Sequence, residues 1–487
     1  MPRYAITTFG CQMNVHDSER MHEVLRRAGY AEAEAPAAAD IVVLNTCSVR
    51  EKAEQKLRSE VGRLARWKEE QPERVVVVAG CVAQQEGERL IRRMPAIDLV
   101  IGPDNIAELP RLLDEVSLGG LPMVRTVFDL DEPRFLPPPS AVGGPTAYVT
   151  TMKGCNERCS FCIVPYTRGP ERYRPSDEIV AEIGALTAAG AREITLLGQT
   201  VNSYRDPLGA LPRAPGADPD DPDESEFAAL IRRIAAEVPA LLRLRYTSPH
   251  PRHLTPSLIR AHAELPLLPR HVHLPVQSGS NRVLKRMIRR YTREEYVART
   301  RALAEAAPGI TLSTDIIVGF PGETEDDFAA TLSLVEECGF RGLFGFKYSR
   351  RPYTPALKLE DDVPEAVKGE RLARLFALSE ALIGAHLETL VGTTQEVLVE
   401  GVSKTGDLWS GRTARNEIVH LEGAGDRDLG GELLEARILR ANKHSLHGEL
   451  TPAALAAAAR RPAQAATKAR RALPVLTGTG AGAGAEG

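Results

Sequence analysis

The sequence lacks the features of an exported or membrane-spanning protein. Its N-terminus, MPRYAITTFGC, has neither the basic nor the apolar region of a secretory signal. The longest apolar run, Val75 to Ala83, is too short to cross a bilayer as a helix. We therefore expect a cytoplasmic protein that makes no contact with a membrane.

Cysteine is also scarce, with seven residues in a chain of 487. An odd number of cysteines in a large chain without an export signal makes a disulfide framework a poor explanation, because the cytoplasm keeps thiols reduced. Metal-binding or catalytic thiols explain them better.

The chain is long enough for about three domains. Residues 1–125 alternate strand-like runs with amphipathic segments, which predicts an open parallel α/β sheet. Pro-rich residues 126–146 have the composition of a linker. Residues 147–385 repeat the strand-helix rhythm six times and predict a partial (β/α)6 barrel. Glycine-broken β-rich runs in 388–451 predict a small antiparallel β-barrel, so the fold class is α/β with a β-barrel added.

Two further segments are expected to stay outside any packed core. The insert Asp206 to Glu226 combines five prolines with a dense acidic half, and it predicts an exposed, mobile loop. Residues 452–487 are Ala-rich, then basic, then Gly-rich, which predicts a disordered tail.

Three cysteines lie within eight residues of one another in the segment GCNERCSFC: Cys155, Cys159 and Cys162. They follow the first strand of the predicted barrel, and parallel barrels carry their active sites at the carboxyl ends of the strands. A structural zinc site usually takes four protein ligands, and no nearby Cys or His supplies a fourth. Iron-sulfur clusters also usually take four thiolates, so three would leave one iron open to another ligand.

Three other cysteines each follow directly on a strand-like run, in FGC, NTC and AGC: Cys11, Cys47 and Cys81. Their intervals of 36 and 34 residues each fit one strand-helix unit. Ligands in open α/β sheets bind beyond the carboxyl ends of the strands, which predicts a second three-thiolate cluster. The alternative is three separately buried core cysteines. We expect Cys338, in the last turn of a predicted helix, to be a core thiol.

The spacing C-x3-C-x2-C after the first strand of a six-strand partial barrel resembles the radical S-adenosylmethionine (radical SAM) superfamily. The segments TFGCQMNVHDSE, NTCSVREKAEQK, HLPVQSGSNRVLKRM and YSRRPYTPA extend the resemblance to the methylthiotransferase family, from Arg3 to about Leu450. The resemblance implies a methylthiotransferase N-terminal domain, a radical SAM core and a C-terminal TRAM domain. One departure is Thr200, where the family usually has Asn.

The resemblance also implies the cofactors: SAM and two 4Fe-4S clusters, each with three cysteine ligands. A reduced cluster on Cys155, Cys159 and Cys162 would cleave SAM to methionine and a 5'-deoxyadenosyl radical, and the other cluster would carry the transferred sulfur. The clusters supply this chemistry, and no acid or base residue is implied. The residues that the resemblance places against SAM are Phe161, through its backbone, Gln199, Ser248, Gln277 and Asp315.

Basic side chains are concentrated in RVLKRMIRRYTREEY and KYSRRPYT, although the net charge of −4 gives no global sign of nucleic-acid binding. Such patches pair with phosphates, and the alternative is a solvated amphipathic helix. The residues that we expect to contact tRNA are Lys285, Arg286, Arg289, Arg290 and Arg350.

The resemblance implies methylthiolation of C2 of N6-dimethylallyladenosine at position 37 of tRNAs that read codons beginning with U. Radical chemistry suits this carbon, which is neither a good acid nor attached to a leaving group. The implied partners are the tRNA anticodon stem-loop and an electron donor of flavodoxin or ferredoxin type, with the enzyme working as a monomer.

Other functions stay open at this point. The segments CQMN and GRTARNEIVHLEG favour tRNA over ribosomal protein S12 as the substrate, and threonylcarbamoyladenosine in tRNA is a further alternative. An iron-sulfur electron carrier or an RNA-binding module is an alternative of another class, and either would bind clusters without making 5'-deoxyadenosine from SAM.

Overall fold

The structure, a computed structural model, describes residues 1–48, 51–131, 133–136, 143–211, 224–403, 408–423 and 427–458. These residues form two compact units. The first holds residues up to Leu136 together with the segment Tyr166–Arg168, and the second holds residues 143–165 and 169–458. Within these ranges, every helix is too short or too polar to span a bilayer.

The first unit is built on one six-stranded sheet. Its strands are β1 (Arg3–Phe9), β2 (Ala31–Glu32), β3 (Ile41–Thr46), β4 (Val75–Gly80), β5 (Leu99–Ile101) and β6 (Met123–Arg125). They lie in the order β2-β1-β3-β4-β5-β6, and all pairs are parallel. Its helices are α1 (Gln12–Arg27), α2 (Glu51–Glu70), α3 (Cys81–Glu86), α4 (Glu88–Arg93) and α5 (Leu109–Gly119). The predicted parallel α/β sheet is confirmed.

Both faces of this sheet are covered, which explains why its central strands are continuous apolar runs. Val43 and Val77 pack on one side with Leu25 of α1, whereas Val42 and Val76 belong to the core on the other side. Parallel strands buried on both faces select β-branched residues at successive positions rather than an alternating pattern.

The second unit contains six parallel strands in two three-stranded sheets, β11-β10-β7 and β12-β13-β14. The strands are β7 (Thr146–Thr150), β8 (Met152–Lys153), β9 (Arg172–Tyr173), β10 (Glu193–Leu197), β11 (Arg243–Tyr246), β12 (His271–His273), β13 (Thr311–Val318) and β14 (Gly342–Lys347). The short strands β8 and β9 form a separate antiparallel pair. The six predicted parallel strands are therefore present in sequence order, in two groups of three.

Helices alternate with these strands as the sequence predicts. They are α6 (Val164–Thr167), α7 (Ser176–Ala188), α8 (Glu226–Glu237), α9 (Pro256–Glu264), α10 (Asn281–Arg286), α11 (Arg293–Ala306), α12 (Glu325–Cys338) and α13 (Glu365–Glu388). Helix α11 begins with a capping box in which Thr292 and Glu295 satisfy each other's backbone N–H groups.

A closed five-stranded barrel completes the second unit. Its strands are β15 (Thr394–Val402), β16 (Trp409–Thr413), β17 (Ile418–Glu422), β18 (Leu433–Ala441) and β19 (Leu446–Leu450), in the order β15-β16-β17-β19-β18. Four of its pairings are antiparallel, and the β17–β19 pair is parallel. The predicted barrel is confirmed with this one parallel pair.

Two segments differ from the expectation of unpacked structure. Residues 452–487 were expected to be disordered, but Pro452–Ala458 forms α14 with Ala454 buried in the barrel core, and the rest of the tail lies outside the described residues. In the acidic insert, the Asp206 carboxylate accepts hydrogen bonds from Ser176 Oγ (2.6 Å) and the Ala210 amide (3.0 Å). Leu211 is buried, and residues 212–223 lie outside the described residues. Asp206 and Leu211 are therefore buried, whereas residues 207–210 between them are exposed as expected.

Candidate metal centres

The first centre lies at the carboxyl edge of the six-stranded sheet. Strands β1, β3 and β4 are neighbours, and their last residues share one register row, with Phe9 opposite Thr46 and Thr46 opposite Gly80. Cys47 and Cys81 come directly after two of these residues, and Cys11 comes after Phe9 with one glycine between. Sheet register therefore brings together three cysteines that are distant in sequence.

The thiols of this first centre are close enough to change one another's ionisation. Hydrogen bonding to the Cys47 thiol lowers the pKa of Cys11 to about 6, against the effect of burial. Burial raises the pKa of Cys81, and the charge of Cys11 adds to the effect. The three thiols thus form one cluster, the type of donor set that holds iron or zinc.

An asparagine pair supports the start of α1 against β3 beside these thiols. The side chain of Asn45, which is fully buried, donates to the carbonyl of Asn14 (2.8 Å) and to Ser18 Oγ (2.9 Å). The Asn14 amide donates in return to Asn45 Oδ1 (3.1 Å), and Cys11 Sγ lies 3.4 Å from Asn14 Oδ1. These bonds position Cys11 relative to Cys47.

A buried arginine also belongs to the first centre. Arg168 Nε lies 3.3 Å from Cys81 Sγ, and Arg168 Nη2 lies 2.5 Å from Asp17 Oδ2. Burial opposes both charges, but the ion pair outweighs it, so the pKa of Arg168 is well above and that of Asp17 below the ordinary value. The pair therefore stays charged beside the thiols.

The second centre is the loop that follows β8. Cys155 Sγ lies 2.9 Å from Thr200 Oγ1, and Cys159 Sγ accepts a hydrogen bond from Arg289 Nη1 (3.1 Å). Burial raises the pKa of Cys155 to about 11 and that of Cys162 to about 12, and the charge of Cys159 adds to both shifts. Three thiolates at this spacing repel one another unless a cation lies between them, which is the condition that a bound metal cluster provides.

The loop starts at a glycine that no other residue can replace without strain. Gly154 has a φ of +77°, and a Cβ at this position would lie 1.9 Å from the carbonyl oxygen of Pro170. The close backbone approach, together with the hydrogen bond from the Cys155 amide to the Gly169 carbonyl (3.1 Å), sets the direction in which Cys155 leaves the strand.

A carboxylate and two histidines brace this loop, and the sequence analysis missed them. Glu157, His250 and His253 each place one ligand atom within 4.8 Å of the others. The Glu157 carboxylate accepts a hydrogen bond from His253 Nε2 (3.1 Å) and lies 3.6 Å from Arg252 Nη1. The hydrogen bond from His253 lowers the pKa of Glu157. We interpret the Glu157–His253 hydrogen bond as a link that holds the loop against the segment after β11.

Three of the residues expected to contact SAM follow successive strands, and Asp315 lies within the next strand. Gln199 follows β10, and both polar atoms of its side chain are buried without a hydrogen-bond partner in the described residues. Ser248 and Gln277 follow β11 and β12 with φ values of 58° and 75°. Asp315 lies in β13 with its carboxylate 3.4 Å from His273 Nε2. Phe161 packs beside the small apolar cluster of Phe320 and its neighbours. A buried, unpartnered amide fits a polar ligand, because such groups are nearly always hydrogen-bonded.

Of the basic residues expected to contact tRNA, Lys285, Arg290 and Arg350 are exposed, and Arg286 is half-buried with its Nε donating to the Pro321 carbonyl (3.0 Å). Arg289 corrects the expectation. It is only 5% exposed, and its guanidinium donates to Cys159 Sγ and to the Pro275 carbonyl (3.0 Å). A guanidinium that is enclosed in this way has no face to offer a phosphate.

Comparisons with known proteins agree with this architecture. The uncharacterized protein family UPF0004 matches residues 3–102, the radical SAM superfamily matches 149–335, and the TRAM domain matches 388–451. A curated tRNA-2-methylthio-N(6)-dimethylallyladenosine synthase from Sorangium cellulosum is 75% identical over 99% of this chain and 100% of its own length. A protein of the same name from Nitrosospira multiformis is 46% identical, over 91% of this chain and 92% of its own length.

Among solved structures, the radical SAM methyltransferase TsrM from Kitasatospora setae, with tryptophan and a SAM analogue bound, is similar in fold. The two share 14% sequence identity with a TM-score of 0.50, over 79% of this chain and 89% of that chain.

Proposed function

Because this chain belongs to the family of the tRNA-2-methylthio-N(6)-dimethylallyladenosine synthases, a radical SAM family, we propose that it methylthiolates C2 of N6-dimethylallyladenosine at position 37 of tRNAs that read codons beginning with U. The observation that carries the proposal is that the chain has two separate clusters of three cysteine thiols. One centre for radical formation and another for sulfur match the two parts of such a reaction.

The second centre is proposed to hold a 4Fe-4S cluster through Cys155, Cys159 and Cys162, which supplies the electron for SAM cleavage when bound. Arg289 supports this role, because its guanidinium donates to Cys159 and offsets thiolate charge. Thr200, which departs from the family's usual Asn, still offers a hydroxyl at 2.9 Å from Cys155.

SAM is proposed to bind at the strand ends beside this centre, with contacts from Gln199, Ser248, Gln277 and Asp315 and from the backbone near Phe161. Support comes from the unpartnered Gln199 amide and from the left-handed backbone at Ser248 and Gln277. Left-handed conformations at residues other than glycine cost free energy and cluster at ligand-binding positions.

The first centre is proposed to hold an auxiliary 4Fe-4S cluster through Cys11, Cys47 and Cys81, which supplies the sulfur when bound. The low pKa of Cys11 supports this role, since metal ligands bind as thiolates. The domain division of 1–125, 147–385 and 388–451, with a linker at 126–146, is also proposed, and the three family matches at 3–102, 149–335 and 388–451 support it.

The anticodon stem-loop of tRNA is proposed to contact Lys285, Arg286, Arg290 and Arg350. Three of these side chains are exposed. Lys285 and Arg286 lie in α10, Arg290 follows α10, and Arg350 follows β14. Phosphate contacts of this kind supply affinity without sequence specificity. A flavodoxin-type or ferredoxin-type protein is proposed as the electron donor, and a monomer as the working form.

The test is anaerobic reconstitution with iron and sulfide, followed by incubation with SAM, a reductant and tRNA that carries dimethylallyladenosine but lacks the methylthio group. Mass spectrometry of the nucleosides is expected to show the 2-methylthio product. The same assay is run with threonylcarbamoyladenosine tRNA and with ribosomal protein S12. Product from either of these but none from dimethylallyladenosine tRNA would contradict the proposed substrate. A loaded protein that makes no 5'-deoxyadenosine would instead support an electron carrier or RNA-binding module.

A further inference from the structure

We propose that Arg168 and Asp17 form a buried charge pair that positions a guanidinium against the sulfur of Cys81 and thereby sets the reduction potential of the cluster held by the first centre. The inference rests on the proposed function, since it concerns the auxiliary cluster. Arg168 is a positioning residue in this account, because it acts through Cys81 and does not contact a substrate.

The Arg168 guanidinium directs one N–H group at the sulfur of Cys81 and another at Asp17. Arg168 Nε lies 3.3 Å from Cys81 Sγ, within the range of an N–H to sulfur hydrogen bond, while Nη2 of the same guanidinium lies 2.5 Å from Asp17 Oδ2. The planar fork fixes both directions at once, so the carboxylate orients the N–H group that faces the thiol. Both side chains are more than nine-tenths buried.

Burial strengthens the electrostatic effect of the pair on the cluster. Charges shielded from water interact strongly over a few ångströms, and salt screens them little. Hydrogen bonds to the sulfurs of an iron-sulfur cluster and the charges around it are among the factors that set its potential. A general gain in stability is a weaker explanation, because a buried ion pair often contributes little net stability compared with apolar replacements.

The two members of the pair have opposite expected effects. Removing the positive charge of Arg168 disfavours the reduced cluster, which carries one more electron, and so makes the midpoint potential more negative. Removing the negative charge of Asp17 leaves the guanidinium uncompensated and makes the potential more positive. A purely structural role for the pair predicts the same direction for both changes, since either substitution would loosen the same packing.

The experiment uses the full chain with Cys155, Cys159 and Cys162 replaced by Ala, so that only the first centre is loaded. Iron and sulfide content and the EPR spectrum of the reduced protein establish the cluster, and titration with dithionite gives its midpoint potential. The variants are Arg168→Gln, Arg168→Lys and Asp17→Asn. Arg174→Gln is the matched control, because Arg174 also forms a buried ion pair, with Glu182, in the second unit.

We expect Arg168→Gln to lower the equilibrium constant for one-electron reduction at least tenfold, a shift of about 59 mV to more negative potential. Asp17→Asn should shift the potential the other way by a smaller amount. Arg168→Lys retains the positive charge, so its midpoint potential should lie much closer to that of the parent protein than to that of Arg168→Gln. The control should leave the potential at that of the parent protein.

Several outcomes overturn the inference. One is a fully loaded Arg168→Gln protein with the parent's potential, and another is a negative shift in Asp17→Asn. If the midpoint potential of Arg168→Lys were shifted as far as that of Arg168→Gln, the shape of the side chain rather than its charge would set the potential. If Arg168→Gln fails to retain a cluster, the sign of the shift in Asp17→Asn decides: a positive shift supports the inference, and a negative or absent shift overturns it. A parent protein that binds no cluster would overturn the proposed first centre itself, a result distinct from an intact cluster with an unchanged potential.

Discussion

The two three-cysteine centres differ in how the chain assembles them. In the second centre one loop of eight residues carries all three thiols, and the loop begins at a glycine whose positive φ other residues rarely adopt. In the first centre the thiols come from three neighbouring strands, and strand register determines where they meet. A local centre depends on a few backbone angles, whereas a distributed one depends on the whole sheet.

The centres also differ in how each arginine is held. In the second, Arg289 donates to Cys159 and is fixed by the carbonyl of Pro275 and the hydroxyl of Tyr291, which are uncharged. In the first, Arg168 donates to Cys81 and is fixed by the carboxylate of Asp17. In both centres a guanidinium donates to a cysteine sulfur. A carboxylate balances the charge of this guanidinium in the first centre, whereas only neutral groups hold it in the second.

The largest effect is expected from cysteine variants, which should affect SAM cleavage in one centre and sulfur transfer in the other. Cys155→Ala should reduce 5'-deoxyadenosine formation at least ~100-fold, equivalent to about 2.7 kcal/mol, because SAM would lose its cluster. Cys47→Ala should retain SAM cleavage within about tenfold and abolish the methylthio product. Nucleoside and 5'-deoxyadenosine analysis by mass spectrometry measures both. Cys338→Ala is the control, since Cys338 lies in the last turn of α12 and packs against the hydrophobic core around the six parallel strands of the second unit. Full formation of the 2-methylthio product by Cys47→Ala would contradict the separate role of the first centre in supplying sulfur.

The next prediction compares the two centres through one glycine in each, Gly154 in the loop of the second centre and Gly80 at the end of β4 in the first. A Cβ on Gly80, where φ is +91°, would lie 2.4 Å from Asn45 Oδ1, and one on Gly154 would meet the Pro170 carbonyl. Each Gly→Ala change should destabilise its own unit by about 1–3 kcal/mol and reduce bound iron from about eight to about four atoms per chain. Iron analysis and thermal unfolding report both effects.

Helical glycines provide the matched controls for that test. A Cβ on Gly62 in α2 or on Gly184 in α7 would meet no atom within 4 Å. Their Ala variants should retain all the iron and gain about 0.4–1 kcal/mol of stability. Iron loss in these controls equal to that in Gly80→Ala would show that the strand-end backbone is not special.

A smaller effect is expected from the asparagine pair of the first centre. Asn45→Ala removes three hydrogen bonds and leaves the buried amide of Asn14 without its acceptor, which should cost about 2 kcal/mol. The loss should appear as a lower melting temperature of the apoprotein together with weaker iron retention at the first centre only. Ser59→Ala, on an exposed position of α2, should change neither quantity. Equal iron loss from both centres would contradict a local role.

The smallest effect concerns pH at the segment that carries Arg289. Burial acts against ionisation of Asp327, but hydrogen bonds from Arg282, Ser280 and the Thr324 amide hold its pKa well below its usual value of 3.8. A depressed folded-state pKa contributes stability above the unfolded value, and the contribution is lost as pH falls through the folded value. Asp327→Asn should therefore cost about 1–2 kcal/mol at pH 7.

The difference in melting temperature between Asp327→Asn and the unaltered protein should shrink as the pH falls below about 4. The exposed neighbour Asp326 provides the control, and Asp326→Asn should match the unaltered protein throughout. A difference that stays constant with pH would show that ionisation of Asp327 does not contribute.

Much of the fold could be predicted because it follows from local patterns. Apolar runs such as VVVVAG and IVVLNT have the composition of strands buried on both faces, and Thr292 with Glu295 has the pattern of a helix start. Asp206 and Leu211 were expected in an exposed loop because prolines and acidic residues surround them. Asp206 is instead held by Ser176, 30 residues away, and Leu211 packs in the hydrophobic core. Local composition carries no information about such a distant partner.

The roles of single charged residues were the least predictable part of the centres. Arg289 stands among five other basic residues, and we expected it to contact tRNA, yet its guanidinium is enclosed against Cys159. Arg168 and Asp17 are 151 positions apart, and neither has a motif that marks it as a partner of Cys81. The carboxylate of Glu157 stands within GCNERCSFC, but its two histidine partners follow a different strand.

The sequence by itself determined the second centre, because three cysteines within one turn-forming loop must lie close together wherever that loop is placed. It also determined the strand runs, since continuous apolar residues are stable only when both faces are covered. Only the tertiary structure decided the first centre. Parallel strands can pair in many orders, and Cys11, Cys47 and Cys81 meet because β1, β3 and β4 are neighbours in one register. The placement of each arginine against a sulfur was likewise a tertiary outcome, because a buried charge takes its position from whichever partner the fold brings within reach.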